Sequence, residues 1–196
     1  MRHFAVPQSG IWVISGPAGA GKTTLQQGLL NIFPKAAPLV RITTRPARPS
    51  DTPSAYEYTT SAEFQKRIAS KEILWQFERG GYLHGATKMS VKQALSDSGP
   101  LAVADISVDN AKDLLRFAQS IGKERMVRFL FLDIADEVML RTRLETRGER
   151  HVERDIAECR TWRAEASQSG VPYNFLDARF DVERIQRLAS EFFTRP

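Results

Sequence analysis

Short apolar runs rich in β-branched residues alternate along this chain with longer stretches in which apolar positions recur at helical spacing. Such alternation predicts an α/β fold, a parallel sheet covered by helices. Ile11 to Ile14 reads as the first strand, followed by a glycine-rich loop and a helix over Thr23 to Phe33 closed by Pro34. Leu39 to Ile42 reads as the second strand, and Arg45 to Ser54, with Pro46, Pro49 and Pro53, as a loop of defined shape. Thr60 with Glu63 forms a candidate capping box for a helix through Ile68. A strand over Ile73 to Phe77, a Gly80-Gly81 turn and a helix over Lys88 to Leu95, stopped near Gly99-Pro100, come next. Leu101 to Ala104 reads as the third parallel strand, and Asp109 to Ile121 as an amphipathic helix ending at Gly122. Met126 to Leu132 has the continuous apolar character of a fully buried strand, and Asp136 to Arg147 reads as a helix ending at Gly148. The rest reads as a helix over 152–167, a short strand near Tyr173 to Leu176 and a closing helix from Asp181 to Phe193.

No break in composition divides the chain, and its 196 residues fit one domain. With 42% hydrophobic and 26% charged residues, it has the balance of a globular protein able to bury a core. No apolar run approaches the roughly 20 residues that span a bilayer, and Met1 to Gly10 lacks the apolar core of a secretory signal, so a cytoplasmic location is expected. Cys159 has no second cysteine to pair with and reads as a helix-surface residue.

Charge narrows the partners. Lys plus Arg number 28 against 23 Asp plus Glu, a net charge of +5. The arginines concentrate at Arg41, Arg45 and Arg48 and again at Arg141, Arg143, Arg147, Arg150 and Arg154, without the interleaved aromatics of a single-strand binder. That placement favours a small phosphorylated substrate over a polynucleotide or a membrane surface. The sequence leaves the oligomeric state open.

The chemistry begins at Gly16-Pro17-Ala18-Gly19-Ala20-Gly21-Lys22-Thr23, which satisfies G-x-x-x-x-G-K-[ST] between a predicted strand and a predicted helix. Glycines let consecutive backbone N–H groups turn inward around phosphate oxygens, and the helix N-terminus adds a favourable dipole. Lys22 is the candidate for the outer phosphates, and Thr23, followed by Thr24, offers a hydroxyl to Mg²⁺. The cofactors expected are ATP and Mg²⁺. A second group of residues suits an acceptor. Arg45 and Arg48 put two guanidinium forks three residues apart on a proline-stiffened loop, near Asp51 and Tyr56, an arrangement able to bracket a phosphate.

In this order the motifs resemble the guanylate kinase-like P-loop kinases. Thr43-Thr44-Arg45-Pro-Ala-Arg48, the following acidic Asp51 and Tyr56 are similar to that family's acceptor segment. Leu101 to Ser107 stands where the family has L-D-I-D, and Arg143-Leu-Glu-Thr-Arg147-Gly148 matches its R-L-x-x-R-G lid. The resemblance implies a three-layer P-loop kinase fold with an acceptor-binding insertion over about 40–98 and an Arg-rich lid over about 141–160. It also implies that Arg45, Arg48 and Tyr56 grip the acceptor's phosphate, and that Arg143 and Arg147 join Lys22 as catalytic residues stabilising the phosphoryl group in flight. A further lid arginine is expected where this chain has Glu158, with Arg154 or Arg160 as substitutes. Asp105, at a strand end, has two readings: a Mg²⁺ ligand acting through water, or the N-cap of the next helix.

The match fails where the family reads guanine. Trp75, Ala86 and Ser107 occupy the positions of its glutamate, its hydroxyl residue and its second aspartate, and His84 replaces a tyrosine. An indole donates one hydrogen bond and accepts none, so it cannot substitute for a carboxylate that accepts guanine's N–H groups. Trp75 reads either as a stacking surface for the acceptor or as core. His84 reads as an acceptor contact or as an acid or base, a role phosphoryl transfer needs little. Trp75, Ser107 and Arg147-Gly-Glu-Arg150 also resemble a related branch, ribose 1,5-bisphosphate phosphokinase. The expected function is transfer of the γ-phosphoryl of ATP to a small phosphorylated acceptor, nucleoside monophosphate-like but with GMP disfavoured. That branch is one alternative, and a binding module with weakened turnover is another.

Overall fold

The computed structural model describes residues 7–49, 51–52, 55–149 and 151–195, so His3 and Arg150 lie outside the described residues. Five parallel strands form the central sheet in the order β2, β7, β1, β8, β9: β1 (Gly10–Ser15), β2 (Ala36–Pro38), β7 (Leu101–Asp105), β8 (Val127–Asp133) and β9 (Tyr173–Asp177). β1 sits at the centre, with Val13 opposite Ala104 on one side and Phe129 on the other. Buried on both faces, it is apolar throughout. Pleating sends Trp12 and Ile14 to one side and Ile11 and Val13 to the other.

Each side carries its own helix layer. Trp12 and Ile14 pack with α1 (Lys22–Ile32), α5 (Glu137–Thr146) and α7 (Val182–Thr194) through Leu25, Leu29, Leu140, Leu144, Ile185 and Phe193. Trp12 stacks on Phe193 with ring centroids 4.8 Å apart. Ile11 and Val13 pack with α3 (Lys88–Ala94) and α4 (Val108–Ser120) through Val91, Ala111, Leu114 and Ala118. α6 (Val152–Gln168) completes the helices beside α5. Thr60 caps α2 as the sequence predicts, and Asp136 and Asp181, read as the first residues of their helices, are caps as well: each of the three accepts a hydrogen bond from the backbone N–H three residues on.

Two expectations change. The second strand of the parallel sheet is Ala36–Pro38, not Leu39 to Ile42. Leu39 adds one more bond to β7, its N–H donating to the Val103 carbonyl at 2.9 Å, and Pro38, which has no N–H to donate, is tolerated because β2 is an edge strand. The chain then starts a second sheet at β3 (Arg41–Thr43), which joins β4 (Tyr56–Tyr58), β6 (Tyr82–Thr87) and β5 (Ile73–Arg79) in the order β4, β3, β6, β5. β4 and β6 are absent from the sequence reading. β4 is only three residues long, and β6 carries Gly85 and His84 in place of a β-branched run. The Gly80-Gly81 turn, with both residues at positive φ, folds β5 onto β6. α2 (Ser61–Ala69) covers one face of this sheet, with Phe64 against Gly85.

Gly16 is fixed by space as well as by conformation. Its φ is 147°, and a Cβ there would lie 2.5 Å from the Leu132 carbonyl oxygen. Gly16→Ala is expected to cost at least about 2 kcal/mol, from overpacking and left-handed strain together. Thermal denaturation should show a melting temperature lower by about 4–8 °C.

Candidate active site

The C-terminal ends of β1 and β7 open onto a cleft of about 1280 Å³. Its floor is the loop Gly16 to Lys22 and the first turn of α1 with Thr23 and Thr24; opposite stand Asp105 and Ser107. Parallel pairing of Ile14 with Asp105 brings loop and carboxylate together although they lie some ninety residues apart. The Ser15 hydroxyl secures the juncture. It donates to the Ile106 carbonyl at 2.8 Å and accepts from the Tyr173 hydroxyl at 2.8 Å.

Gly21, at φ 95°, turns the chain into α1 with open space where a Cβ would be, and Gly19 lies so close to Leu140 and Leu144 that the loop packs on α5. Lys22 folds back over the loop, its Nζ donating to the Pro17 carbonyl at 3.0 Å. Burial holds the Lys22 ammonium below the usual lysine range; Asp105 opposes that shift, while Arg147 and Arg79 add to it. Burial likewise raises the Asp105 carboxyl, with Lys22, Arg41 and Arg79 pulling it back. The N-cap reading of Asp105 does not hold. Ser107 caps α4, its Oγ accepting from the Asn110 N–H at 3.3 Å, which leaves the Asp105 carboxylate to the cleft.

Arginines line the far wall. Arg143 and Arg147 both face the cleft, Arg143 donating to the Ala178 carbonyl at 2.9 Å and Arg147 lying 3.4 Å from Glu149. Of the two proposed substitutes for the missing lid arginine, Arg154 lines the cleft beside Asp155 and Glu158. Arg160 does not; it is clamped on Glu137 at 2.6 and 2.9 Å.

The acceptor residues divide. The Asp51 carboxylate organises the proline-rich loop, accepting from the Arg45 guanidinium at 2.8 Å, the Arg48 N–H at 2.7 Å and the Tyr58 hydroxyl at 2.7 Å. These bonds hold its pKa below the usual carboxylate range. Arg45 spends another N–H on the Pro46 carbonyl and is buried. Neither Arg45, Arg48, Asp51 nor Tyr56 is on the cleft wall, whereas Ser107 is. The Tyr56 hydroxyl accepts from Arg41 at 2.6 Å. His84 shares a 3.0 Å hydrogen bond with Thr43 and stacks on Phe77; burial and the neighbouring Arg41 lower its pKa.

Trp75 is core and not a cleft surface. It is 3% exposed among Leu39, Ala86, Val91 and Ala104, and its indole N–H has no hydrogen-bond partner. Sequence reasoning missed Arg79 and Gln76 as cleft residues and left Arg41 without a place. The signal for Arg79 was present in β5, where the pleat puts it on the same side as Phe77, but the strand was read as ending at Phe77.

Residues 8–190 match the family model described as guanylate kinase. The chain belongs to the guanylate kinase family. The guanylate kinase of Thermosynechococcus vestitus is 31% identical over 172 residues, 85% of this chain and 86% of that protein. Among solved structures, guanylate kinase from Anaplasma phagocytophilum aligns with a TM-score of 0.57 at 19% identity, covering 95% of this chain and 85% of the other. A sugar kinase from Janibacter sp. HTCC2649 aligns at 0.51 and 18% identity, with 94% of each covered, a likeness of fold. Family membership makes the chain a P-loop kinase, an ATP-dependent phosphotransferase. Among the described residues no helix is long and apolar enough to cross a membrane.

Two predictions follow from these charges. A lysine whose pKa is depressed on folding keeps its ammonium only below that value, so triphosphate affinity should fall as pH rises through it. Asp105→Asn removes the opposing carboxylate and should move the fall to lower pH; Arg147→Gln removes a repelling cation and should move it to higher pH. ATP titrations without metal between about pH 7 and 10 read both shifts. Trp75→Glu, which returns a carboxylate to that position, should bury an unpaired charge and cost about 3–5 kcal/mol. Its melting temperature should drop by about 6 °C or more, without any gain in GMP binding.

Proposed function

We propose that this protein transfers the γ-phosphoryl group of ATP, with Mg²⁺, to a small acceptor that already carries phosphate, and that GMP is a poor acceptor. The observation that carries the reading is the meeting, in one cleft, of Lys22 from the floor and Asp105 opposite it with Arg143 and Arg147 from the far wall. Glycine-loop amides and Lys22 hold the triphosphate. Arg143 and Arg147 neutralise charge on the phosphoryl group as it leaves ADP. Thr23 and Asp105 would hold Mg²⁺. The residues fit that ion, since a hydroxyl and a carboxylate are hard oxygen donors and Mg²⁺ keeps several waters alongside phosphate oxygens. Among the described residues no cluster of three His, Cys, Asp or Glu offers an all-protein cage for another metal. Held by Thr23 and Asp105, the ion would supply Lewis-acid neutralisation of the phosphate charge.

On the acceptor side, Arg48 and the Tyr56 hydroxyl supply donors to the acceptor's phosphate, and Arg45, tied to Asp51, sets the shape of the loop that presents them. Catalysis is positioning and charge neutralisation, with no proton relay required of His84. GMP is disfavoured because the position of a guanine-reading carboxylate holds a buried indole beside Ala86. That same substitution, with Ser107 on the cleft wall, favours ribose 1,5-bisphosphate as the second reading.

ATP consumption measured across nucleoside monophosphates and ribose phosphates tests the proposal. Turnover with a phosphorylated acceptor is expected, and Lys22→Ala should lower kcat by about 10²–10³-fold. ATP binding without turnover of any acceptor would instead favour a binding module.

A further inference from the structure

Glu158 stands where a further lid arginine is expected, and it puts an acid into the cleft that the triphosphate must enter. Its neighbour Arg154 does not make up the loss. That guanidinium lies 3.1 Å from Asp155 and 3.6 Å from Glu158, so two carboxylates already offset its single charge. The other cleft arginines are engaged in part: Arg41 donates to the Tyr56 hydroxyl at 2.6 Å, Arg143 to the Ala178 carbonyl at 2.9 Å, and Arg147 lies 3.4 Å from Glu149. Among the described residues, Arg79 alone of the cleft arginines has neither an acid nor a hydrogen-bond partner for its side chain.

The second sheet carries Arg79 toward the phosphate loop. β5 pairs Phe77 with His84 and Arg79 with Tyr82, and β3 pairs Thr43 with that same histidine. Residues paired across strands share a face, and so do residues two apart along a strand. One face therefore holds Arg41 level with Trp75 and Ala86, then Thr43, His84 and Phe77, then Tyr82 and Arg79. Trp75 and Ala86 are closed into the core, whereas Phe77 and Tyr82 are exposed and Arg79 opens onto the cleft. Gly80 and Gly81 then reverse the chain at φ 62° and 77°, so Arg79 stands at the root of the hairpin tip. From there its charge reaches both Lys22 and Asp105, and the other arginine acting on Lys22 is Arg147, at the end of α5. A cation from each wall thus converges on the lysine that meets the outer phosphates.

We propose that Arg79 is a further catalytic residue, an arginine delivered from the acceptor sheet in place of the one the lid lacks at Glu158. The inference rests on the kinase reading and deepens it. During transfer the bond from the γ-phosphorus to ADP's bridging oxygen breaks and its electron pair stays on that oxygen, while an anionic oxygen of the acceptor's phosphate forms the new bond. No proton need move. Negative charge spreads over the three equatorial oxygens of the phosphoryl group, which lies between donor and acceptor. Arg147 meets that charge from the lid and Arg79 from the acceptor side, and a guanidinium fork can give two parallel N–H bonds to such oxygens. A cation with no acid to leave is in place before the charge develops, which is the condition for stabilising it without reorganisation.

Steady-state kinetics with ATP and Mg²⁺ test it, using whichever of AMP, CMP, UMP, GMP, ribose 5-phosphate and ribose 1,5-bisphosphate the wild type phosphorylates fastest. Arg79→Gln should lower kcat by about 10²–10³-fold while both KM values stay within about threefold, the pattern of a contact made only in the transition state. Arg79→Lys should recover about tenfold of that loss, since the charge remains and the fork does not. Arg154→Gln should cost kcat far less than Arg79→Gln. Calorimetry gives a second reading: Arg79→Gln should weaken binding of ADP, Mg²⁺ and tetrafluoroaluminate with the same acceptor by about 100-fold, and of ADP with Mg²⁺ alone hardly at all. Melting temperatures close to that of the wild type verify that the variants fold, as expected for an exposed side chain. A loss confined to KM, an unchanged kcat, or a larger loss from Arg154→Gln would overturn the assignment while leaving the kinase reading in place. A wild type that phosphorylates none of these probes sinks the kinase reading, and the role of Arg79 with it.

Discussion

Two opposite charges, Lys22 and Asp105, are taken out of water and set against each other across the mouth of a parallel sheet. Burial opposes the ionised form of both, and each is the other's main compensation. Such a pair is unfavourable unless its geometry is held, and much of the fold holds it. β1 and β7 are hydrogen-bonded neighbours, Ser15 ties the loop's root to the residue after Asp105, and Gly16 lets the backbone pass against Leu132 where no side chain fits. A site kept in that state is preorganised for a polyanion, because it need not reorganise when the phosphate arrives.

The remaining charges follow from the same economy of burial. Around the lid, most arginines meet an acid on a neighbouring turn or helix, as Arg160 meets Glu137 and Arg141 meets Glu153 at 3.1 Å through its second N–H. Those exposed pairs position α5 against α6 and add little stability. Asp51 does the equivalent for the proline-rich loop, spending its lone pairs on Arg45, Arg48 and Tyr58. Among the described residues Arg41, Arg79 and Arg143, all lining the cleft, form no ion pair with an acid.

The departures from the family pattern read as one change. Once Trp75 and Ala86 close the inner edge of the second sheet with apolar bulk, no acceptor remains there for a base's N–H groups. The indole N–H itself goes unpaired, a cost of about 1–3 kcal/mol that packing must outweigh.

Local chemistry made much of this legible without coordinates. The phosphate loop, the apolar periodicity of β1, β7 and β8, the cap at Thr60 and the helix starts near Asp136 and Asp181 depend on residues within a few positions of one another, so the sequence alone determined them. It also determined that the guanine-reading set was altered. Only the tertiary structure decided whether Trp75 is wall or core, that Ser107 and not Asp105 caps α4, that Arg45 is consumed by Asp51, and that Arg41 and Arg79 share a face. Each of those depends on which strand lies beside which, and β4 and β6 are too short or too irregular to announce themselves by pattern. Burial and charge pairing are properties of neighbours in space, and strand order, unlike periodicity, is fixed only when the whole chain packs.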